Sequence, residues 1–163
     1  KGIGFWPAFW LMPSEDIRWP VGGEIDILEN RGRISNISSS ALHFGKQWNK
    51  KSTLVGEALI PRQVRFQDKF HSISLVWKEN YIAFYLDNSP DPYFTINSDH
   101  PEFQKYKYPF NRDYYMILNV AVGGKYDDYW VDFDAFCNDE ECSNKEDPDS
   151  HRFIIDWIEY ERL

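Results

Sequence analysis

Basic residues are scarce: 18 Lys and Arg stand against 26 Asp and Glu, giving a net charge of −8 and a pI near 5.0. Phosphate backbones and anionic membranes are held by clustered cations, so this balance argues against both as partners. Apolar residues never reach the roughly 20 in succession that a membrane-spanning helix needs. No internal repeat or low-complexity tract is present, and no long stretch carries a convincing amphipathic helical period. Cysteine is limited to Cys137 and Cys142, which bracket Asn-Asp-Glu-Glu. A short-loop disulfide is the favoured reading and fits a secreted, extracellular protein. The alternative, two ligands of a zinc site, lacks a nearby Cys or His to complete it.

Aromatic side chains are abundant, at 18% with 7 Trp and 10 Tyr, within a hydrophobic fraction of 42%. Such a chain is neither disordered nor fibrous, and 163 residues suffice for one domain, 1–163, with a substantial core. Rings serve a β-sandwich core, and flat rings also stack on the apolar faces of sugars. Short strands separated by turns recur. Residues 5–12 form an apolar run that Pro7 makes more suitable for an edge or bent strand. Residues 36–44 form another, with small Ser38, Ser39 and Ser40. Phe70–Trp77 alternates, Lys78-Glu79-Asn80 turns, and Tyr81–Leu86 completes a hairpin. Residues 97–113 read as a long loop or short helical turn, Tyr114–Val122 as an apolar strand, 125–150 as an acidic irregular region, and Arg152–Tyr160 as a closing strand. This pattern predicts an all-β, antiparallel sandwich.

Within it, Glu24-Ile25-Asp26-Ile27-Leu28-Glu29 carries three acids among aliphatic residues. In a strand, Glu24 and Asp26 share one face while Ile25 and Ile27 share the other, and Glu29 has the wrong parity to join the acids. One extra residue, a β-bulge at Ile27-Leu28, restores it. An acidic, solvent-facing edge strand is the plainer alternative.

The flanks are Phe5-Trp6-Pro7-Ala8-Phe9-Trp10-Leu11-Met12-Pro13, then Trp19-Pro20 and Gly22-Gly23. With the acids, these segments resemble the catalytic signature of glycoside hydrolase family sixteen, and the E-x-D-x-x-E spacing resembles its laminarinase-like, endo-β-1,3-glucanase branch. The similarity continues through Ala41-Leu42-His43-Phe44-Gly45, Phe70–Trp77, Leu118-Asn119-Val120-Ala121-Val122-Gly123-Gly124 and Ile155–Tyr160.

The resemblance implies a jelly roll of two curved sheets with a concave substrate cleft, and retaining hydrolysis of β-1,3-glucan. It implies Glu24 as nucleophile, Glu29 as general acid/base and Asp26 as their electrostatic partner. His43 is expected beside the acids. Trp6, Trp10 and Trp19 are expected to stack on sugar, with core packing also open for Trp6 or Trp10. Asn119 is expected on the cleft floor and Trp130 as a possible wall, while Trp77 and Trp157 read as core. No cofactor is required. A structural calcium, held partly by Asp156, is a family feature; Asp127-Asp128, Asp132 and Asp134 read as a solvated loop. Members usually carry several strands before the Trp-Pro-Ala segment, so an upstream segment or a second chain is expected to complete the sandwich. A non-catalytic β-glucan recognition protein, or hydrolysis of mixed-linkage glucan or a galactan, are the rival readings. Asn36-Ile37-Ser38 is a glycosylation acceptor triplet of small weight.

Overall fold

A computed structural model describes residues 3–131 and 152–162. Eight strands are present among them: β1 (Phe5–Pro13), β2 (Glu24–Asn30), β3 (Ile37–Gln47), β4 (Lys50–Leu59), β5 (Ile73–Lys78), β6 (Tyr81–Leu86), β7 (Phe94–Asn97) and β8 (Tyr114–Val122). They form two antiparallel sheets, ordered β4-β3-β2-β1-β8 and β5-β6-β7. The fold is an all-β sandwich, as the strand pattern predicts.

Alternation decides which side chains fill the space between the sheets. Ile25, Leu42 and Phe44 from the large sheet and Ile82 and Phe84 from the small one are fully buried. Ile73, Leu75 and Trp77, the more apolar face of β5, pack against this cluster. Burying one such side chain contributes roughly 1.5–3 kcal/mol. The 97–113 stretch contributes a short helix, α1 (Pro101–Tyr106). Proline at its first position suits a helix start, and the His100 ring accepts the Glu102 N–H. It drives Phe103 into the core, with ring centroids 4.5 Å from Phe44 and 6.2 Å from Phe110.

Several expectations need correction. Pro7 does not mark an edge: β1 lies between β2 and β8. The β2 ladder begins only at Ala8, so Pro7 sits where β1 is paired on one side, to Val120 of β8. Strand β4 escaped the sequence because its Lys50-Lys51-Ser52-Thr53 start is polar; it is the edge strand, with only Ala58 buried. Residues 152–162 form no strand and are largely exposed, Trp157 included, so Trp157 is not a core residue. The reason lies in the uneven sheets. Met116, Leu118 and Val120 of β8 are register partners of Leu11, Phe9 and Pro7, yet all three are exposed. The small sheet approaches the large one through β5 against β2, which leaves the inward face of β8 without a strand opposite among the described residues. Two hollows, of about 670 and 480 Å³, lie along this uncovered side, lined in common by Val120, Arg152, Phe153 and Ile154. Cys137, Cys142, Asp132 and Asp134 lie outside the described residues, and with them the expectation of a disulfide.

Candidate active site

The acids occupy β2, the middle strand of the large sheet. Asp26 pairs with Ala41 and Glu29 with Ser39, so Ile27 and Leu28 together oppose Ser40 alone. The Ser40 hydroxyl donates to Ile27 O at 2.7 Å, occupying a carbonyl near the break in the ladder. Ile25 and Ile27 are buried in the core cluster, and Leu28 lines the smaller hollow behind the sheet. Glu24, Asp26 and Glu29 consequently share the other face. The bulge stands where alternation demanded it.

Gly23 admits the chain to this strand. Its φ is +84°, and a Cβ there would come within 2.7 Å of the Tyr114 hydroxyl and 2.8 Å of the Phe110 ring. A side chain fits neither the conformation nor the space.

Each acid has its own partner. Trp19 Nε1 donates to Glu24 Oε2 at 2.5 Å, and Trp6 Nε1 donates to Glu29 Oε1 at 3.0 Å. His43 pairs with Glu24 across the ladder, and its Nε2 lies 3.1 Å from Asp26 Oδ2 while Nδ1 lies 2.8 Å from Thr53 Oγ1. Asp26 and Glu29 are buried despite their charge. Burial raises all three carboxyl groups: Glu24 to about 7 and Glu29 to about 8, with the Asp26 charge as the next cause for both. Asp26 is raised too, chiefly by burial, against a hydrogen bond with Glu24 that favours its ionised form. Burial lowers His43, which keeps the ring neutral. His43 Nδ1 and the Thr53 hydroxyl share a hydrogen bond, whereas Asp26 Oδ2, buried and 3.1 Å from Nε2, has no hydrogen-bond partner among the described residues. Carboxyl groups gathered on one face, all raised by burial so that one holds a proton while another ionises, are the arrangement that acid–base and nucleophilic roles require. Glu24, Asp26 and His43 also present ligand atoms within 4.8 Å of one another, the only such group among the described residues. Within this group Glu24 already accepts the Trp19 N–H.

Residues 1–132 match the model of glycosyl hydrolases family 16. The chain belongs to this family. It is 34% identical over 135 residues to glucan endo-1,3-beta-glucosidase A1 of Niallia circulans, covering 77% of this chain and 19% of that protein. It is 37% identical over 134 residues to the glucan endo-1,3-beta-glucosidase of Cryptopygus antarcticus, covering 77% of this chain and 48% of that one. The laminarinase catalytic domain of Thermotoga maritima superposes with a TM-score of 0.71 at 28% identity, over 82% of this chain and 53% of that structure. The chain thus spans about half or less of each of these proteins.

Other predicted family-16 site residues fall at graded distances from the acids. Trp6 and Trp10 both rise on the acid face, where Trp10 Nε1 donates to Asn119 Oδ1 at 2.8 Å. Asn119 completes a cross-strand row, Glu57–Ser39–Glu29–Ala8–Asn119, that runs over all five strands. Trp130 does not join them; it is exposed, with Arg33 6.0 Å from its ring. Asp156 is exposed and belongs to no group of three ligating side chains among the described residues. Asp127 is no solvated loop residue: it is buried against Arg33, with Arg33 Nε 2.7 Å from Oδ1.

Three contributors were absent from the sequence reading. Trp48, at the tip of the β3–β4 hairpin, lies 5.0 Å from Trp19 between ring centroids. Lys51 places its ammonium 4.5 Å from the Trp19 ring and 5.1 Å from the Trp48 ring. Tyr126 stacks on Trp6 at 4.9 Å. A tryptophan beside Asn49 in a polar turn was the available signal for the first, and a tyrosine directly after Gly123-Gly124-Lys125 for the last.

Proposed function

We propose that this family 16 chain carries the catalytic site of an endo-acting, retaining glycoside hydrolase for β-1,3-glucan of laminarin type. The observation that carries it is the bulged β2, which puts Glu24, Asp26 and Glu29 on one face, with a separate indole donor for each glutamate. Glu29, its carboxyl raised by burial, protonates the departing glycosidic oxygen. Glu24, steadied as an anion by the Trp19 N–H, attacks the anomeric carbon and forms a glycosyl ester. Glu29 then takes a proton from water, which hydrolyses the ester with net retention. Asp26, held by His43, supplies the negative field that keeps the proton on Glu29 in the resting site.

No cofactor enters this chemistry. Trp6, Trp10, Trp19 and Asn119, bonded to the acids or to one another on the acid face, support a neutral polysaccharide substrate. The laminarinase relatives favour β-1,3-glucan over mixed-linkage glucan or galactan. Secretion fits a polymer substrate, and further polypeptide, upstream or on a second chain, would cover the inward face of β8, which has no strand opposite it among the described residues. The deciding measurement is reducing-sugar release from laminarin by wild type and Glu24→Gln, with the anomer of the first product read by NMR. Release that persists in the variant removes Glu24 as nucleophile, and an inverted first product removes the retaining mechanism. Binding without release by the wild type assigns the chain to glucan recognition instead.

A further inference from the structure

Behind Glu29, on the side away from Glu24, a chain of contacts leads to a buried carboxylate that the reaction does not use. Glu29 receives the Trp6 N–H. The Trp6 indole is stacked on Tyr126 with centroids 4.9 Å apart and planes 26° apart. The Tyr126 hydroxyl donates 3.1 Å to the main-chain O of Glu29 and lies 3.0 Å from Ser39 Oγ, whose residue is the register partner of Glu29. Tyr126 therefore touches the acid twice, through the indole that bonds its carboxyl and through its own backbone.

Tyr126 is itself pinned. The Arg31 guanidinium covers its ring at 4.5 Å, and Arg31 Nε donates to its carbonyl at 3.1 Å. Its neighbour Asp127, 1% exposed, is in close ion pairing with Arg33 Nε at 2.7 Å and lies 4.0 Å from Arg31 Nε. Arg31 and Arg33 leave the end of β2, the strand that carries the acids. A single 3₁₀ turn, Lys125–Asp127, is thereby locked to the strand of the acids by charge and to Glu29 by ring and hydroxyl. Asp127 would be an uncompensated buried charge without the arginines, which are themselves 29% exposed, so the pair ties the turn to them.

We propose that Tyr126, clamped by Asp127 through Arg31 and Arg33, is a positioning residue for Glu29: it holds the Trp6 indole so that the Glu29 carboxyl is aimed at the leaving oxygen. The proposal rests on the hydrolase reading and adds to it a role for a turn remote in sequence from the acids. Its consequence is specific to the proton-transfer step. A sugar leaving group that departs as an alkoxide needs the acid in place, whereas a dinitrophenolate leaves unaided.

The test compares kcat/KM on laminarin with kcat/KM on a 2,4-dinitrophenyl β-glucan oligosaccharide, for wild type, Tyr126→Leu, Tyr126→Phe and Asp127→Asn. Both substrates share the attack by Glu24, and only the first depends on protonation by Glu29. Tyr126→Leu is expected to lose about 10- to 100-fold on laminarin and less than about threefold on the dinitrophenyl substrate. Tyr126→Phe, which keeps the stacked ring, is expected to recover most of the laminarin rate. Tyr126→Leu, which leaves the Asp127–Arg33 pair intact, decides the matter even where Asp127→Asn does not fold. Equal losses on the two substrates, or no loss on either, overturn the positioning role. Wild type that cleaves neither substrate overturns the hydrolase reading itself, a result distinct from both.

Discussion

His43 Nε2 stands 3.1 Å from Asp26 Oδ2, and the opposite ring nitrogen stands 2.8 Å from Thr53 Oγ1. The imidazole thus bridges the central acid and the edge strand β4, so the acid's orientation is set two strands away from its own. His43→Ala removes the ring that packs against the buried Asp26 carboxyl. A fall in kcat of about ten- to a hundredfold is expected from the misaimed carboxylate, with KM for laminarin nearly unchanged. Steady-state kinetics on purified variant checks it, and a rise in KM alone would assign His43 to sugar binding instead.

The raised carboxyl groups make a stability prediction whose sign is fixed. Glu29 binds its proton up to about pH 8 in the folded protein, chiefly because burial disfavours the charge. The unfolded chain releases that proton near the ordinary carboxylate value, so between the two the folded state holds more protons and stability falls as pH rises. Glu29→Gln removes this penalty. Its Tm is expected to match wild type near pH 4 and exceed it by roughly 5 °C at pH 8. Thermal melts across that range decide it, and a margin independent of pH would refute the assignment.

Trp48 and Lys51 extend the Trp19 ring surface toward solvent at the end of the site marked by Glu24. An exposed indole held by a neighbouring ring and an ammonium is a ready surface for a pyranose face. Trp48→Ala is expected to raise KM for laminarin about tenfold, the loss of one stacked ring costing about 1.4 kcal/mol. The same change should leave Tm within a degree or two, because the side chain is 69% exposed. Unchanged KM would restrict the sugar platform to Trp19.

Phe103 tests whether the short helix α1 is part of the core or an appendage. It is buried and meets Phe44, Tyr108 and Phe110 with ring centroids of 4.5, 4.9 and 6.2 Å. Phe103→Ala is expected to lower stability by about 3–5 kcal/mol, measured by urea unfolding. A loss below about 1 kcal/mol would mean the helix contributes little to the sandwich.

Parity alone located the bulge, because three acids and three aliphatic residues cannot be sorted onto two faces of Glu24–Glu29 without one extra residue. The hairpin at Lys78–Tyr81 was equally legible, from alternation on both sides of a polar turn. Strand β4 was not, since an edge strand needs no apolar alternation to pair. Nor was the fate of 152–162, whose Ile and Trp residues alternate as a strand does but find no neighbouring ladder. Asp127 misled for a related reason: an acid among acids reads as solvated, and nothing local shows that Arg31 and Arg33, some 95 residues earlier, surround it.

The sequence by itself determined the acid triad, its shared face and the all-β layering, because these follow from residue type and a period of two. Only the tertiary structure decided which indole serves which acid, that His43 answers to Asp26, and that Tyr126 backs Glu29. Those pairings join residues between 5 and 97 positions apart. Chain separation carries no information about them; strand order and register do, and both are set by how the two sheets close over the core.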